Sequence, residues 1–167
     1  MLVYHPKNDI YNCMYRFLSI IKLANKNSIE FNRLRIFDFF FLFPHLADGI
    51  VYPKLKGVSN VRKLSRSFNE PYENLPDNKR LFSEISDYHI QAIQILCSKG
   101  ILRLDNDLVF IGENFENFNI QQLLIDNKYL EGLFYQKFVM LLMEVKLTGE
   151  NGLKQRTGLM EYRYDAT

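Results

Sequence analysis

A run of aromatic residues constrains the fold of this chain more than any other feature. The stretch FNRLRIFDFFFLFPHLAD spans residues 31–48, and its five consecutive apolar residues at 39–43 end at Pro44. A bilayer span needs about 20 predominantly apolar residues. Charged or ionisable side chains lie inside or beside the apolar run at four positions, which disfavours a membrane anchor. These positions are Arg33, Arg35, Asp38 and His45.

The spacing of the apolar residues in this stretch predicts a helix. Leu34, Phe37 and Phe41 recur at i, i+3 and i+7, whereas the side chains of a half-buried strand would alternate with period 2. Pro44 explains where the helix ends, because a proline disfavours the helical conformation of the residue before it.

The end of this helix, residues 39–43, is apolar on every side. A helix of that kind must be covered all round. The chain's own core can cover one side, and in a protein this small we expect a partner protein to cover the other. The predicted contact residues are Phe39, Phe40 and Phe43.

Composition and charge indicate an ordinary globular domain. The chain has 167 residues, of which 47% are hydrophobic and 24% charged, and its net charge is +2. A charge this small gives the whole protein little attraction for nucleic acid or a membrane surface. Cys13 and Cys97 belong to no metal-binding spacing and are typical of small buried residues in a reducing compartment. The N-terminus lacks the features of a signal peptide, so we expect a cytoplasmic protein with no membrane partner.

The order of the predicted elements indicates a mostly α-helical fold that includes a winged helix-turn-helix segment with one β-hairpin. Residues 1–70 hold a first helix, the aromatic helix and a short basic helix. Residues 77–112 form the winged-helix-like segment, and residues 113–167 hold two further helices and a weakly ordered polar tail. The three parts are expected to form one compact domain.

The winged-helix-like segment is predicted from a long helical pattern followed by two short strands. The helical pattern spans residues 79–99, and a break near Ser86 or Asp87 would divide it into two helices. Gly100 lies where helices commonly end. The two strands flank the turn Asp-Asn-Asp at residues 105–107.

The basic stretch PKLKGVSNVRKLSRSF is the strongest candidate for contact with nucleic acid. Five basic residues and no acidic residue lie between Gly49 and Asn69. They suit contact with the phosphate backbone rather than base reading. The alternatives are a solvated helix or a patch that binds an acidic partner. The five residues are Lys54, Lys56, Arg62, Lys63 and Arg66.

The predicted wing, by contrast, is a poor reader of DNA. Its tip carries Asp105 and Asp107 with Arg103 as the nearby basic residue. Two carboxylates at this position would repel phosphate oxygens. The acidic wing therefore favours a role in binding protein.

The helix in GLFYQKFVMLLMEVKLTG is a second candidate interface. Its apolar residues exceed one helical face, so some of them either contact a partner or are wrapped by the fold itself. The candidate contact residues are Phe134, Phe138, Val139, Met140 and Met143.

The aspartate inside the aromatic helix is predicted to have a structural role. A buried carboxylate needs positively charged partners to offset its desolvation. We expect Asp38 to be positioned by Arg35, from the same helix, or by Arg16, from the first helix. Arg33 is expected to be exposed.

No catalytic or cofactor-binding motif occurs in the sequence. The three histidines, His5, His45 and His89, fall in different predicted elements, and none has the HExxH spacing of a zinc site. Glycine-rich phosphate loops and the GxSxG nucleophile motif are absent. We therefore expect a protein that is not an enzyme, with no catalytic residues, cofactor or metal.

The segment YNCMYRFLSII, followed by RLRIFDFFFLFP, resembles the middle component of bacterial ABC-type three-component systems, particularly the Lamassu-type antiphage group. The later segment CSKGILRLDNDLVFI is also similar to such proteins. The matching positions are Tyr11, Arg16, Arg33, Leu34, Arg35, Ile36, Asp38, Phe39, Phe43 and Pro44.

The resemblance implies a non-catalytic adaptor in an antiphage defence complex that senses DNA. Its partners would be a dimeric SMC- or Rad50-like coiled-coil ABC ATPase and an effector subunit, expected to be a nuclease. All ATP, metal and nuclease chemistry would belong to those chains, and any contact of this chain with DNA would be non-specific. The alternative is a winged-helix DNA-binding transcriptional regulator, which would dimerise on its own and bind a specific duplex.

Overall fold

Helices form most of the chain, and a small antiparallel sheet joins distant segments. The computed structural model describes residues 9–71 and 74–165. The architecture confirms the mostly α-helical fold class with a β-hairpin. The helices are α1 (Ile10–Ala24), α2 (Phe31–Leu42), α3 (Val58–Arg66), α4 (Asn78–Ser98), α5 (Phe118–Leu123), α6 (Lys128–Glu131), α7 (Leu133–Met143) and α8 (Leu153–Thr157), with a 3-10 helix at Pro44–Gly49. The strands are β1 (Ser28–Glu30), β2 (Leu102–Asp105) and β3 (Leu108–Ile111).

The sheet places the segment after α1 beside the hairpin. β2 and β3 form the predicted hairpin, and β1 pairs with the other edge of β3, so the strand order is β1-β3-β2. Val109 lies opposite Ile29 on one side and Leu104 on the other. β1 was not expected from the sequence, because three residues are too few to show an alternating pattern. It leads directly into α2, where the Phe31 N–H donates to the carbonyl of Asp107.

α2 lies at the centre of the core. The predicted helix ends shortly before Pro44, and nine of its twelve residues are buried. Side chains from α4 and α7 cover it: the ring centroids of Phe39 and Phe82 lie 6.0 Å apart, and those of Phe37 and Phe138 lie 5.4 Å apart. Neither α2 nor any other helix in the described part of the chain has the length and apolarity needed to cross a membrane.

α4 is one continuous helix of 21 residues, without the break near Ser86 or Asp87 that would have divided it. The Ser86 hydroxyl donates to the Phe82 carbonyl within the helix, a local bond that serine can make without ending a helix. The buried stripe continues through this region to Leu96. A helix-turn-helix that included α4 would therefore take its other helix from an earlier part of the chain.

The C-terminal segment packs onto the fold more closely than its polar sequence indicated. α8 buries Leu153, and the Lys154 ammonium lies 2.7 Å from the Asp165 carboxylate. The Arg156 guanidinium donates to the carbonyl of Val51, which follows the 3-10 helix. The contact with Val51 joins residues 105 positions apart, so composition alone gave no sign of it.

The hairpin turn allows a direct test of the fold. Asn106 and Asp107 both have positive φ, 47° and 64°, as in a type I′ turn, and glycine suits the second position. Asp107→Gly is expected to raise the melting temperature slightly. Asp107→Val is expected to lower the free energy of unfolding by about 1–2 kcal/mol, because a β-branched side chain resists the left-handed conformation that aspartate tolerates. Thermal unfolding measures both changes.

The matched control for this prediction is Asp105→Val, in the neighbouring strand. Asp105 is exposed and paired in β2, and valine is favourable in strands. This variant should be close to neutral. An equal loss of stability in the two valine variants would contradict the explanation by turn conformation.

Candidate functional site

Three polar side chains from three helices meet in the centre of the core. Arg16 of α1 donates to both carboxylate oxygens of Asp38 in α2, through Nε at 2.7 Å and Nη2 at 3.0 Å. The Nε2 atom of His89 in α4 lies 3.0 Å from Oδ2 of the same carboxylate. Arg16 is 2% exposed, and Asp38 and His89 are fully buried. We call these three residues the buried ion cluster.

Hydrogen bonds determine which ring nitrogen of His89 carries the proton. Nε2 faces the Asp38 carboxylate and donates to it, whereas Nδ1 faces the Nε–H of Arg35 at 3.5 Å and accepts. A second proton on Nδ1 would point at the guanidinium, so the neutral ring fits this site. Burial lowers the pKa of His89 below its ordinary 6.5, and the neighbouring Asp38 offsets this effect only in part.

Asp38 carries the negative charge of the cluster. Burial by itself would raise the pKa of Asp38, but the charge of Arg16 and the hydrogen bond from His89 hold that pKa below its ordinary value. Of the two arginines expected to position Asp38, Arg16 binds the carboxylate directly. Arg35 instead contacts His89 and donates to the Ser86 hydroxyl at 2.9 Å.

Cys13 adds a further potential metal ligand to the cluster. Its Sγ and the ligand atoms of Asp38 and His89 lie within 4.8 Å of one another. These donors do not fit a divalent ion, because the Arg16 guanidinium binds both Asp38 oxygens and a cation would have to displace it. Burial also raises the pKa of the Cys13 thiol, and metals bind the thiolate. The arrangement fits a structural role instead, in which the buried ion cluster holds α1, α2 and α4 together.

Arg33 is buried, which corrects the expectation that it is exposed. It is 4% exposed, and its Nη1 donates to the Leu142 carbonyl at 2.8 Å while its Nε lies 2.7 Å from Glu30. Leu142 lies in the last turn of α7, where carbonyls lack partners within the helix. The arginine therefore ties α2 to the end of α7. Its partner lies 109 residues away, which local sequence patterns do not reveal.

Most of the aromatic residues predicted to contact a partner lie in the protein's own core. The reason is that α4 and α7 cover the sides of α2 that the sequence left open. Met143 is half-buried, whereas Met140 is 70% exposed. The residues with exposure of 5% or less are Phe39, Phe40, Phe43, Phe134, Phe138 and Val139.

The five basic residues between 54 and 66 form two groups. Arg62 and Arg66 both lie close to the Asp48 carboxylate, at 3.9 Å and 2.9 Å. Asp48 stands just before the stretch that was counted as free of acidic residues, so the sequence count missed this pairing. The remaining members are exposed, and no ion pair in the described part of the chain involves them. They are Lys54, Lys56 and Lys63.

A groove with a volume of about 380 Å³ lies between α3 and α7. Two of its residues were singled out from the sequence for different reasons: Lys56 as part of the basic stretch and Met140 as part of the candidate interface on the second apolar helix. On the α7 side it is lined by Lys137, Met140 and Leu141 of the helix and by Glu144, the residue that caps its end, and these four follow the i, i+3, i+4, i+7 pattern of one helical face. From α3 and the loop before it come Leu55, Lys56, Gly57, Asn60 and Val61. We call these nine residues the α3–α7 groove.

Further exposed apolar side chains lie on α5 and just after it, and the sequence analysis did not predict their exposure. None of the residues of α5 is buried. Phe118, Leu123 and Ile125 are each more than half exposed, and we call these three residues the α5 surface. Their apolar character was visible in the sequence, but the helix is too short for periodicity to separate an exposed face from a buried one.

Comparison with protein families gave a match over nearly the whole chain. The family model described as ABC-three component (ABC-3C) system Middle Component 5 matches residues 2–165. Searches of curated proteins and of solved structures found no match. The matched range includes every helix and strand described above, from α1 to α8.

Removal of Arg16 is expected to be strongly destabilising. Arg16→Met leaves Asp38 as an unpaired buried charge, and loss of one partner of a buried pair costs about 3–5 kcal/mol. The double variant Arg16→Met with Asp38→Leu should recover part of this loss, because no unpaired charge remains. Chemical unfolding measures the difference.

An exposed arginine provides the control for this prediction. Arg66→Met breaks the pair with Asp48 at the surface, where solvent weakens ion pairs, and it should change stability little. A single Arg16→Met variant as stable as Arg66→Met would contradict the role assigned to the buried ion cluster.

His89 makes stability depend on pH. The pKa of His89 is lower in the folded protein than the ordinary 6.5. Just below pH 6.5, His89 is therefore protonated in the unfolded chain but still neutral in the folded chain. The free energy of unfolding should therefore fall as the pH decreases below about 6.5, by at most about 1.4 kcal/mol per pH unit from this group. Denaturant unfolding between pH 8 and pH 5 measures how steeply the free energy of unfolding depends on pH.

The control variant is His89→Gln, which keeps a donor to Asp38 but does not titrate, so its stability should depend less steeply on pH. An equal pH dependence in the variant and the wild type would rule out His89 as the cause.

Proposed function

Because the chain belongs to the Middle Component 5 family of ABC-three component systems, we propose that it is a non-catalytic adaptor in an antiphage defence complex of the Lamassu type. In this proposal it links a dimeric SMC- or Rad50-like coiled-coil ABC ATPase to an effector nuclease. The observation that carries the proposal is the family match itself, which spans residues 2–165.

Two surfaces of the fold support a role in joining partners. The α3–α7 groove and the α5 surface both expose apolar side chains, and they lie on different elements. Exposed apolar patches mark sites of protein association. An adaptor needs two such sites, one for each partner.

The location of the ionisable groups also favours a non-catalytic role. The core holds a group of ionisable side chains close together, formed by Cys13, Asp38 and His89. All three are buried, and the Asp38 carboxylate is already hydrogen-bonded to Arg16. A catalytic group must come within hydrogen-bond reach of its substrate. A substrate would have to open the core to reach these residues.

The alternative function, a DNA-binding regulator, has support from the order of the elements. If the 3-10 helix and α3 are treated as an insertion, the order α1-β1-α2-α4-β2-β3 and the strand order β1-β3-β2 resemble those of a winged-helix domain, and α4 would take the position of the recognition helix. The charges favour the adaptor instead, because Asp105 and Asp107 are exposed at the wing tip. Arg103, the basic residue nearby, lies over the Phe110 ring at 4.6 Å.

The decisive experiment is isolation of the chain with its natural partners. We would express the tagged chain from its native operon and measure the mass of the purified species by native mass spectrometry. The adaptor proposal predicts a stable complex with a large coiled-coil ATPase. A homodimer without partners that binds a specific duplex in a gel-shift assay would overturn the proposal in favour of the regulator.

A further inference from the structure

We propose that the α3–α7 groove binds an acidic, apolar segment of a partner protein. The inference rests on the proposed adaptor function and adds the chemistry that the partner must present. The segment carries a large apolar side chain flanked by carboxylates. Three features of the groove support this choice of occupant: its apolar floor, its lysines and the start of α3.

The floor and rim of the groove are apolar. Val61 and Leu141 are buried beneath it, while Leu55 is 40% exposed and Met140 is 70% exposed. Methionine adapts its shape to irregular partners and is common at binding surfaces. The volume of about 380 Å³ is large enough to admit several side chains, so an apolar side chain can be removed from water here.

Two lysines line the groove from both of its sides. Lys56 comes from the loop before α3 and Lys137 from α7, and neither takes part in an ion pair with the described residues. Lys63 lies on α3 three residues after the groove residue Asn60, and is exposed. These charges attract carboxylates on the partner and repel basic segments.

The start of α3 adds to the attraction for carboxylates. Gly57 precedes the first turn and provides no side-chain cap, and it lines the groove. The N–H groups at the start of a helix lack partners within the helix, and they favour negative charge nearby. A carboxylate in the groove would be close to both Lys56 and this helix end.

A protein segment fits the groove better than DNA does. Glu144, which directly follows α7, also lines the groove; a continuous row of phosphates would meet its charge, whereas a protein segment can place its carboxylates at Lys56 and Lys137 instead. Arg62 and Arg66, which suit phosphate best by residue type, already interact with Asp48. An apolar floor also offers nothing to a phosphate backbone, whose contacts are ionic.

A photo-crosslinking experiment tests which partner occupies the groove. We would replace Met140 with p-benzoylphenylalanine, purify the complex expressed from the native operon, irradiate it and identify the crosslinked peptide by mass spectrometry. The expected product joins position 140 to a partner peptide that contains both acidic and large apolar residues. A crosslink to DNA, or to a basic segment, would overturn the inference.

Charge reversal tests the role of the lysines. The double variant Lys56→Glu with Lys137→Glu is expected to weaken binding of the partner at least about tenfold. The matched control is Lys22→Glu with Lys26→Glu, because both residues are exposed and neither lines the groove. Thermal unfolding establishes that both double variants fold, and the control should bind as the wild type does.

The outcomes separate a failure of this inference from a failure of the proposed function. If the wild-type chain forms no complex, the adaptor function fails and the inference fails with it. If the wild type and Lys56→Glu with Lys137→Glu form equally stable complexes, the adaptor function stands and the inference about the groove is wrong. Weakening by the groove variant alone, together with an acidic crosslinked peptide, supports both.

Discussion

The fold depends on a single carboxylate placed in the centre of an aromatic core. Asp38 has no exposed surface, so its charge must be balanced by groups that the chain itself supplies. Arg16 supplies the charge, and His89 completes the hydrogen bonding. Because these groups come from α1, α2 and α4, the requirement to satisfy one charge fixes how three helices meet. Apolar packing alone is less selective, since hydrophobic contact has no direction.

The position of α2 decides which surfaces remain for partners. With α1, α4 and α7 around it, its phenylalanines are used inside the fold, and α7 turns Phe134 and Phe138 inward as well. The groove is lined on the α7 side by Lys137 and Met140 of that helix and by Glu144, which directly follows it. Under the proposed function, interaction with a partner would fall to a mixed surface of lysine, methionine and glutamate, whose selectivity would come from charge as well as from apolar area.

Local patterns in the sequence were sufficient for some features and insufficient for others. The helical spacing around Phe37 and the turn at 105–107 gave α2 and the hairpin, since both depend on nearby residues. Other features depend on partners far along the chain. β1 pairs with β3, Arg33 is buried against the carbonyl of Leu142, and the C-terminal segment is held in part by the carbonyl of Val51. For the same reason the candidate groove was not predicted, although two of its residues had been singled out separately.

α7 connects the groove to the core. One of its faces lines the groove, while Phe138 on another face contacts the rings of Phe37 and Phe40 in α2. Protein interiors are packed about as densely as organic crystals, so a helix held in this way moves with its neighbours rather than independently of them. If a partner binds the groove as proposed, a force on α7 would reach α2 through Phe138, and from α2 it would reach α1 and α4 through the buried ion cluster. In an adaptor this rigidity has a use, because a displacement at one binding surface reaches the rest of the molecule as movement of a whole body.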